Sequence, residues 1–378
     1  MWQTAIALTA AALAGLASAC RGENGAWPCG RDGPGTASAA SATSPERARA
    51  LRDDALVRAK VWRAPELPIG EADLREGPAA PDGFRSTDEV SCTFVPRSSG
   101  GRTPKFHCVT ASGDTLKLKY GRANRERQAE VAGTRLAAAL GFGADRMYVL
   151  RRVRCQGCPP YPFPWLSWLD SLLADERRLT DFDHPVVERA FAGREIRAGD
   201  VSGWTWDELD RVDAARGGAT RAELDALRLL AAFLAHWDSK AENQRLVCRP
   251  GGEAKDGSCA QPFALIADFG ATFGPYRADL QGWTSHPVWH DAVSCLVSMR
   301  DMPYKGATFS DRRISEGGRR LLVGLLAQLR PAQVRDLFAG ARFDETGPGA
   351  TGGDVAAWVR AFEDRARQIA DRGPCPEP

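Results

Sequence analysis

The segment His236-Trp237-Asp238-Ser239-Lys240-Ala241-Glu242-Asn243, joined thirty positions beyond Asp238 by Asp268-Phe269-Gly270, decides how the rest of this 378-residue chain is read. Singly, its residues are ordinary. A His beside a Trp at a helix end usually packs in a core, and Asp, Lys and Asn there usually cap the backbone or meet solvent. Together they place a carboxylate able to accept or orient a proton and, two residues on, an amine able to offset developing negative charge. An amide and a second carboxylate add the hard oxygens that suit Mg2+. The setting supports the grouping. Thr220-Arg221-Ala222-Glu223 is a capping box, and it opens a helix whose Leu224, Leu227, Leu230 and Leu234 run directly into His236.

The order His236-x-Asp238-x-Lys240-x-x-Asn243, then Asp268-Phe269-Gly270, resembles the catalytic loop and metal-binding tripeptide of the protein-kinase-like superfamily. The tripeptide alone is weak; the ordered pair is specific. The resemblance covers about residues 88 to 343, and Glu126 to Leu136 looks more like the atypical branches: HipA-type bacterial kinases, phosphatidylinositol kinases and secretory-pathway kinases. It implies a bilobal α+β fold with a small β-rich N-lobe, a larger mainly helical C-lobe, ATP between them and Mg2+ as cofactor. In that scheme Asp238 is the base or orienting acceptor for a hydroxyl and Lys240 offsets charge on the transferred group. His236 braces the loop, Asn243 and Asp268 hold Mg2+, and Gly270 lets the backbone turn sharply.

The upstream half should supply a Lys for the nucleotide phosphates and a helical Glu to pair with it. Residues 88–120 alternate as strands do: Val90, Cys92 and Phe94, then Phe106 to Val109, then Leu116 to Tyr120. Lys119 at the strand end is the first choice; Lys117, on the same face two residues earlier, is the rival. Asn124 is positioned to cap a helix with an Ala132/Leu136/Ala139/Leu140 stripe, stopped by Gly141. On it Glu130 is the favoured partner and Glu126, one turn earlier, the alternative. Ser99, Gly100 and Gly101 form a Gly/Ser loop whose backbone N–H groups can cover phosphates, although the G-x-G-x-x-G spacing is missing.

The flanks speak to location. Net charge is only +2, from 50 basic and 48 acidic residues, which argues against a nucleic-acid partner. Ala5 to Ala19 is an apolar run ending in an A-x-A pattern, followed at once by Cys20: an export signal over 1–19, with lipidation of Cys20 as a route to membrane anchoring. No Lys or Arg precedes the run. Residues 20–83 read as a flexible tether with one helix, from Ser44-Pro45-Glu46 to about Trp62. The N-lobe then spans 84–154 and the C-lobe 155–373, closed by a helix over 354–372 that buries Trp358, Phe362 and Ile369. Ten cysteines fit an oxidising compartment. Cys248 with Cys259, and Cys92 with Cys108, each bracket a turn as a disulfide would. Cys155-Gln156-Gly157-Cys158, where the lobes should join, is open between a short disulfide, a redox pair and half a zinc site.

The resemblance therefore implies an exported, ATP- and Mg2+-dependent phosphotransferase acting on a hydroxyl of a protein or small molecule. Nucleotidyl transfer would use the same residues. The alternative is a catalytically silent kinase-like binding domain held outside the cytoplasm; a third reading is an unrelated disulfide-rich module. Trp237 stands where kinases commonly carry a phosphate-clamping Arg, and no Ala-Pro-Glu follows Gly270. Both departures imply a loop after Gly270 held by packing instead of by a phosphate.

Overall fold

In the computed structural model, which describes residues 44–97, 101, 103–162, 177–303, 309, 311–345 and 354–376, the alternating segments form three antiparallel strands. They are β1 (Glu89–Val95), β2 (Lys105–Thr110) and β3 (Thr115–Lys119). Alternation sends Phe106, Cys108, Leu116 and Leu118 into an apolar cluster and puts Lys105, His107, Lys117 and Lys119 on the opposite face. Gly113, at φ +85°, makes the β2–β3 turn. Helix α2 (Glu126–Ala139) follows and ends before Gly141, at φ +89°. Asn124 does not cap it; its amide instead donates to Pro104 O and Tyr120 O and closes the turn after β3.

Beyond α2 the chain forms β4 (Arg146–Val149) and β5 (Arg152–Gln156), and β6 (Leu179–Asp183) and β7 (Val186–Arg189) complete a sheet of order β4-β7-β3-β2-β1-β5-β6. Two residues join β6 at one edge to β7 near the other, so the sheet curls. The Phe182 ring consequently lies 4.7 Å from Phe106 and 5.0 Å from Tyr120. The sheet thus continues well past Arg154. Its exit strand is β7, the link to the helical half falls at 190–193, and Cys155–Cys158 belongs to the β5–β6 hairpin, not to the join. Phe191 N donates to Asp145 Oδ1 (2.8 Å), and Asp145 also pairs with Arg245, which fixes the link to both halves.

The helical half holds α3 (Arg221–Leu234), whose capping box is present as expected. After β8 (Arg194–Glu195) come β9 (Gln244–Cys248) and β10 (Pro262–Ile266), which pair with Ile266 opposite Gln244. Then follow α4 (Leu280–Ser285), the short pair β11 (Leu296–Val297) and β12 (Arg312–Arg313), α5 (Glu316–Leu326), α6 (Pro331–Gly340) and α7 (Val355–Ala370). Trp358, Phe362 and Ile369 of α7 are buried as expected. The main core runs from α2 through α3 to α7.

Residues 45–83 are not a tether. Helix α1 (Pro45–Val57), N-capped by Ser44, buries Ala55 and Leu56, and Ala59, Val61, Ile69 and Leu74 extend the main core. Arg52, almost fully buried, pairs with Glu208 at 2.8 Å and donates to Gly203 O. The Gly/Pro-rich composition here serves tight turns over a packed surface. The expected export signal, Cys20 and the chain to Thr43 lie outside the described residues, as do Ser99 and Gly100. Among the described residues, no helix is long and apolar enough to cross a membrane.

Among the described residues, four disulfides join Cys92–Cys108, Cys155–Cys158, Cys248–Cys259 and Cys295–Cys375. Cys92–Cys108 and Cys248–Cys259 match the sequence pattern, and Cys155-x-x-Cys158, left open there, is a short disulfide. The fourth, 80 residues apart, ties the C-terminal tail to the segment before β11 and was not foreseeable from spacing. Thiol titration of denatured, unreduced protein should find at most two free thiols among ten cysteines. Replacing Cys295 and Cys375 together by Ser should cost about 2–4 kcal/mol in denaturant unfolding; nine or ten free thiols would contradict the pairing.

Candidate functional site

The site is built around Lys119, the last residue of β3, with only 2% of its side chain exposed. Its Nζ lies 2.8 Å from Glu126 Oε1 and 2.5 Å from Glu130 Oε2, so both candidate glutamates, one turn apart on α2, meet the same lysine. Lys117, the rival lysine, instead pairs across the sheet with Glu188 at 2.5 Å. Carboxylate oxygens of Glu126, Glu130 and Asp268 fall within 4.8 Å of one another. These hard donors fit a divalent cation of the Mg2+ type.

One ammonium cannot neutralise three carboxylates, and burial decides which keeps a proton. Burial pushes Glu130 up to about 8, against the pull of Lys119 and with Asp268, Glu188 and Glu126 adding to the rise. For Glu126 the cost of burial is outweighed by Lys119 and Arg277, which hold it below its ordinary value. Asp268 is half-buried; burial raises it, but Lys119, the Gly270 N–H and Lys105 together hold it well below the usual carboxylate range. Burial works against the Lys119 cation, yet Asp268, Glu130 and Glu126 overcome that and raise it well above its ordinary value. Glu126 and Glu130 thus shift in opposite directions although both touch Lys119. We take Glu130 as the protonated member, since it is the more deeply buried and lacks the Arg277 contact.

The segment His236–Asn243 begins after the left-handed Ala235 that ends α3. His236 is fully buried against Phe269, ring centroids 5.5 Å apart, and burial pushes it down to about 4, so it is neutral. It packs; it does not exchange protons. Asp238 carries Lys240 Nζ at 3.6 Å from its Oδ1. Asn243 Nδ2 donates to Asp238 O (2.5 Å), while Asn243 O accepts from Ala267 N and Asp268 N (2.9 and 3.1 Å). The β9–β10 hairpin therefore presents Asn243 and Asp268 side by side, and Cys248–Cys259 staples its far end. Gly270 N donates to Asp268 Oδ1 at 2.8 Å.

Gly270 is needed for space and not for a turn. It is not among the positive-φ residues, but a Cβ there would stand 2.2 Å from Glu126 Cγ. Gly133 of α2 plays the matching part for Phe269: a Cβ there would lie 2.7 Å from Phe269 Cβ. The helix thus rides on the Asp-Phe-Gly segment, and its glutamates reach Lys119 only because both contacts are glycines.

The loop after Gly270 is anchored by Trp237. Its backbone N–H donates to Ala271 O (3.1 Å), and its indole Nε1 donates to Gly274 O (3.1 Å). The Arg277 guanidinium stacks over the indole at 5.1 Å and stands 3.6 Å from Glu126 Oε2. Thr272 is buried and donates to Phe269 O. Packing and an internal arginine hold this loop.

The structure brings together Lys119, Glu126, Glu130 and Asp268, and separately Asp238, Lys240 and Asn243 across one hairpin end. Gly101, at φ +87°, is the described part of the Gly/Ser loop. The sequence reading missed Lys105, Thr103, which donates to Glu126 Oε1 (2.8 Å), and Arg277. Only Lys105 left a trace in the sequence: it opens the β2 strand whose hairpin register sets it opposite Lys119.

A curled β-rich lobe with a buried Lys–Glu contact, and a larger helical lobe that carries the Asp/Asn hairpin, make this a two-lobed α+β fold. No protein-family model and no curated protein matches the sequence. Among solved structures the chain is similar to the Helicobacter pylori proinflammatory kinase CtkA, at 11% identity and a TM-score of 0.41, over 74% of this chain and 94% of that one. It is also similar to the Rio2 kinase of Chaetomium thermophilum in an ADP/Mg2+-phosphoaspartate complex, at 15% identity and 0.28, over 67% and 71%. A second structure of that Rio2 kinase gives 16% and 0.28, over 68% and 74%. Scores this low carry no chemistry, which stands on the side chains described above.

Replacing Gly133 by Val should force Phe269 and α2 apart and cost about 1–3 kcal/mol by overpacking. The denaturant midpoint checks this, and an unchanged midpoint would mean that α2 does not rest on Phe269.

Proposed function

We propose that the chain is an ATP- and Mg2+-dependent phosphotransferase acting on a hydroxyl of a protein or small molecule outside the cytoplasm. The observation that carries this is the convergence of Lys119, Glu126 and Glu130 from one lobe on Asp268 from the other. A merely structural ion pair needs no third carboxylate beside it. Asp268 would hold the metal, joined by Asn243, whose Nδ2 is committed to Asp238 O and whose amide oxygen is the ligand atom. The bound ion supplies charge neutralisation at the phosphates. Asp238 orients or deprotonates the attacking hydroxyl, Lys240 offsets charge at the transferred group, and neutral His236 keeps the loop against Phe269. The Trp237–Arg277 contact supports a site competent without loop phosphorylation.

A catalytically silent, kinase-like binding domain is the second reading. The four disulfides favour it, because they belong to oxidising compartments, where ATP is scarce. Transfer of a nucleotidyl group would call on the same residues.

Purified protein incubated with γ-labelled or α-labelled ATP and Mg2+ separates these readings. Label from the γ position should reach an acceptor, and Asp268→Ala should abolish that transfer while leaving the circular dichroism unchanged. Transfer from the α position would identify a nucleotidyltransferase. Wild-type turnover in Asp268→Ala would sink the metal-site assignment.

A further inference from the structure

Lys105 is the first residue of β2 and sits directly opposite Lys119 in the antiparallel β2–β3 register. Partners in such a register point to the same face with Cβ atoms about 4.5–5.5 Å apart, and like charges so placed are destabilising. Lys105 is nevertheless only 8% exposed. Lysines that deep are almost always paired, and an isolated buried ammonium is costly. Lys119 has two glutamates in contact. Lys105, among the described residues, has no ion pair; Glu126 and Asp268 act on it only at longer range. Its Nζ lies beside Gly101, where an added Cβ would stand 2.9 Å away. Gly101 also needs its φ of +87°, so both backbone and space at that point favour the one residue without a side chain.

Two like-charged lysines side by side, one saturated with carboxylates and one without an ion pair, have separate tasks. We propose that Lys105 is the residue that grips the phosphate chain of the nucleotide, beneath Gly101, while Lys119 serves to hold Glu126, Glu130 and Asp268 in place. The inference rests on the cleft being a nucleotide site, and it assigns the phosphate-binding cation to a strand that the sequence motifs do not mark. Burial and the neighbouring Lys119 both hold the Lys105 ammonium below its ordinary value; an arriving polyanion offsets both effects.

The test is calorimetric titration of the full chain with ATP, AMP and inorganic tripolyphosphate, for wild type, Lys105→Met and Lys105→Arg, alongside thermal melting. Lys105→Met should weaken ATP and tripolyphosphate by about tenfold or more, as loss of a charged hydrogen bond does, and leave AMP within about threefold. Lys105→Arg should restore most of the loss. The melting temperature of the ligand-free Met variant should be equal to or above wild type, since a strained cation is removed; a purely structural lysine would lower it. Unchanged ATP affinity in Lys105→Met would overturn the proposal. Wild type that binds tripolyphosphate through Lys105 but no nucleotide would uphold the anion site and reject the nucleotide reading. Wild type that binds none of the three would reject both.

Discussion

The structure depends on one ammonium among three carboxylates. Lys119 reaches from the sheet to Glu126 and Glu130 on α2, with Asp268 of the other lobe within the same cluster. Removing one partner from such a buried group leaves uncompensated charge and costs about 3–5 kcal/mol. The helix is set by this contact from above and by Phe269 and Gly270 from below, so lobe position and site geometry are one constraint. A small change in the seat of α2 moves two glutamates at once.

Around that centre the chain spends covalent and aromatic links on rigidity. Cys248–Cys259 holds the hairpin that carries Asn243 and Asp268. Arg365 of α7 donates to Ala232 O and Phe233 O, carbonyls of the last turn of α3, and to Trp283 O. The C-terminal helix thereby satisfies the helix end from which the His236–Asn243 segment departs. Phe273 N takes the Leu234 carbonyl. With Trp237 and Arg277 bracing the following loop, nearly every exit from the site is fixed by a named contact.

Much of this was legible in the sequence because spacing encodes it. The helix into His236, the two loop motifs, the β2–β3 strands and two of the disulfides follow from local periodicity, caps and short separations. Choosing Lys119 over Lys117 needed only the strand end. Choosing between Glu126 and Glu130 failed as a question, since helical spacing lets both reach one lysine. What stayed hidden depends on distant pairing. Strands β6 and β7 carry the sheet on past Arg154, because a strand's neighbours are set by the whole sheet. Residues 45–83 looked loose by composition, yet their few apolar side chains find a core built by helices more than a hundred residues away. Gly133 and Gly270 are required for close approach to side chains that local sequence cannot name.

The direct measurement is denaturant unfolding of wild type and Lys119→Met across pH. Without Lys119 only Arg277 and Thr103 at Glu126 and the Gly270 N–H at Asp268 still oppose burial by contact, so all three carboxyls rise from where they stand; Glu130 is already at about 8 against 4.5. Acids shifted upward favour the folded state at low pH, and that contribution is lost as pH rises through the folded value. The penalty of the substitution should therefore be small near pH 5 and grow to about 3–5 kcal/mol above pH 8. A penalty that is absent, or the same at every pH, would contradict the claim that this lysine balances the buried carboxylates of the site.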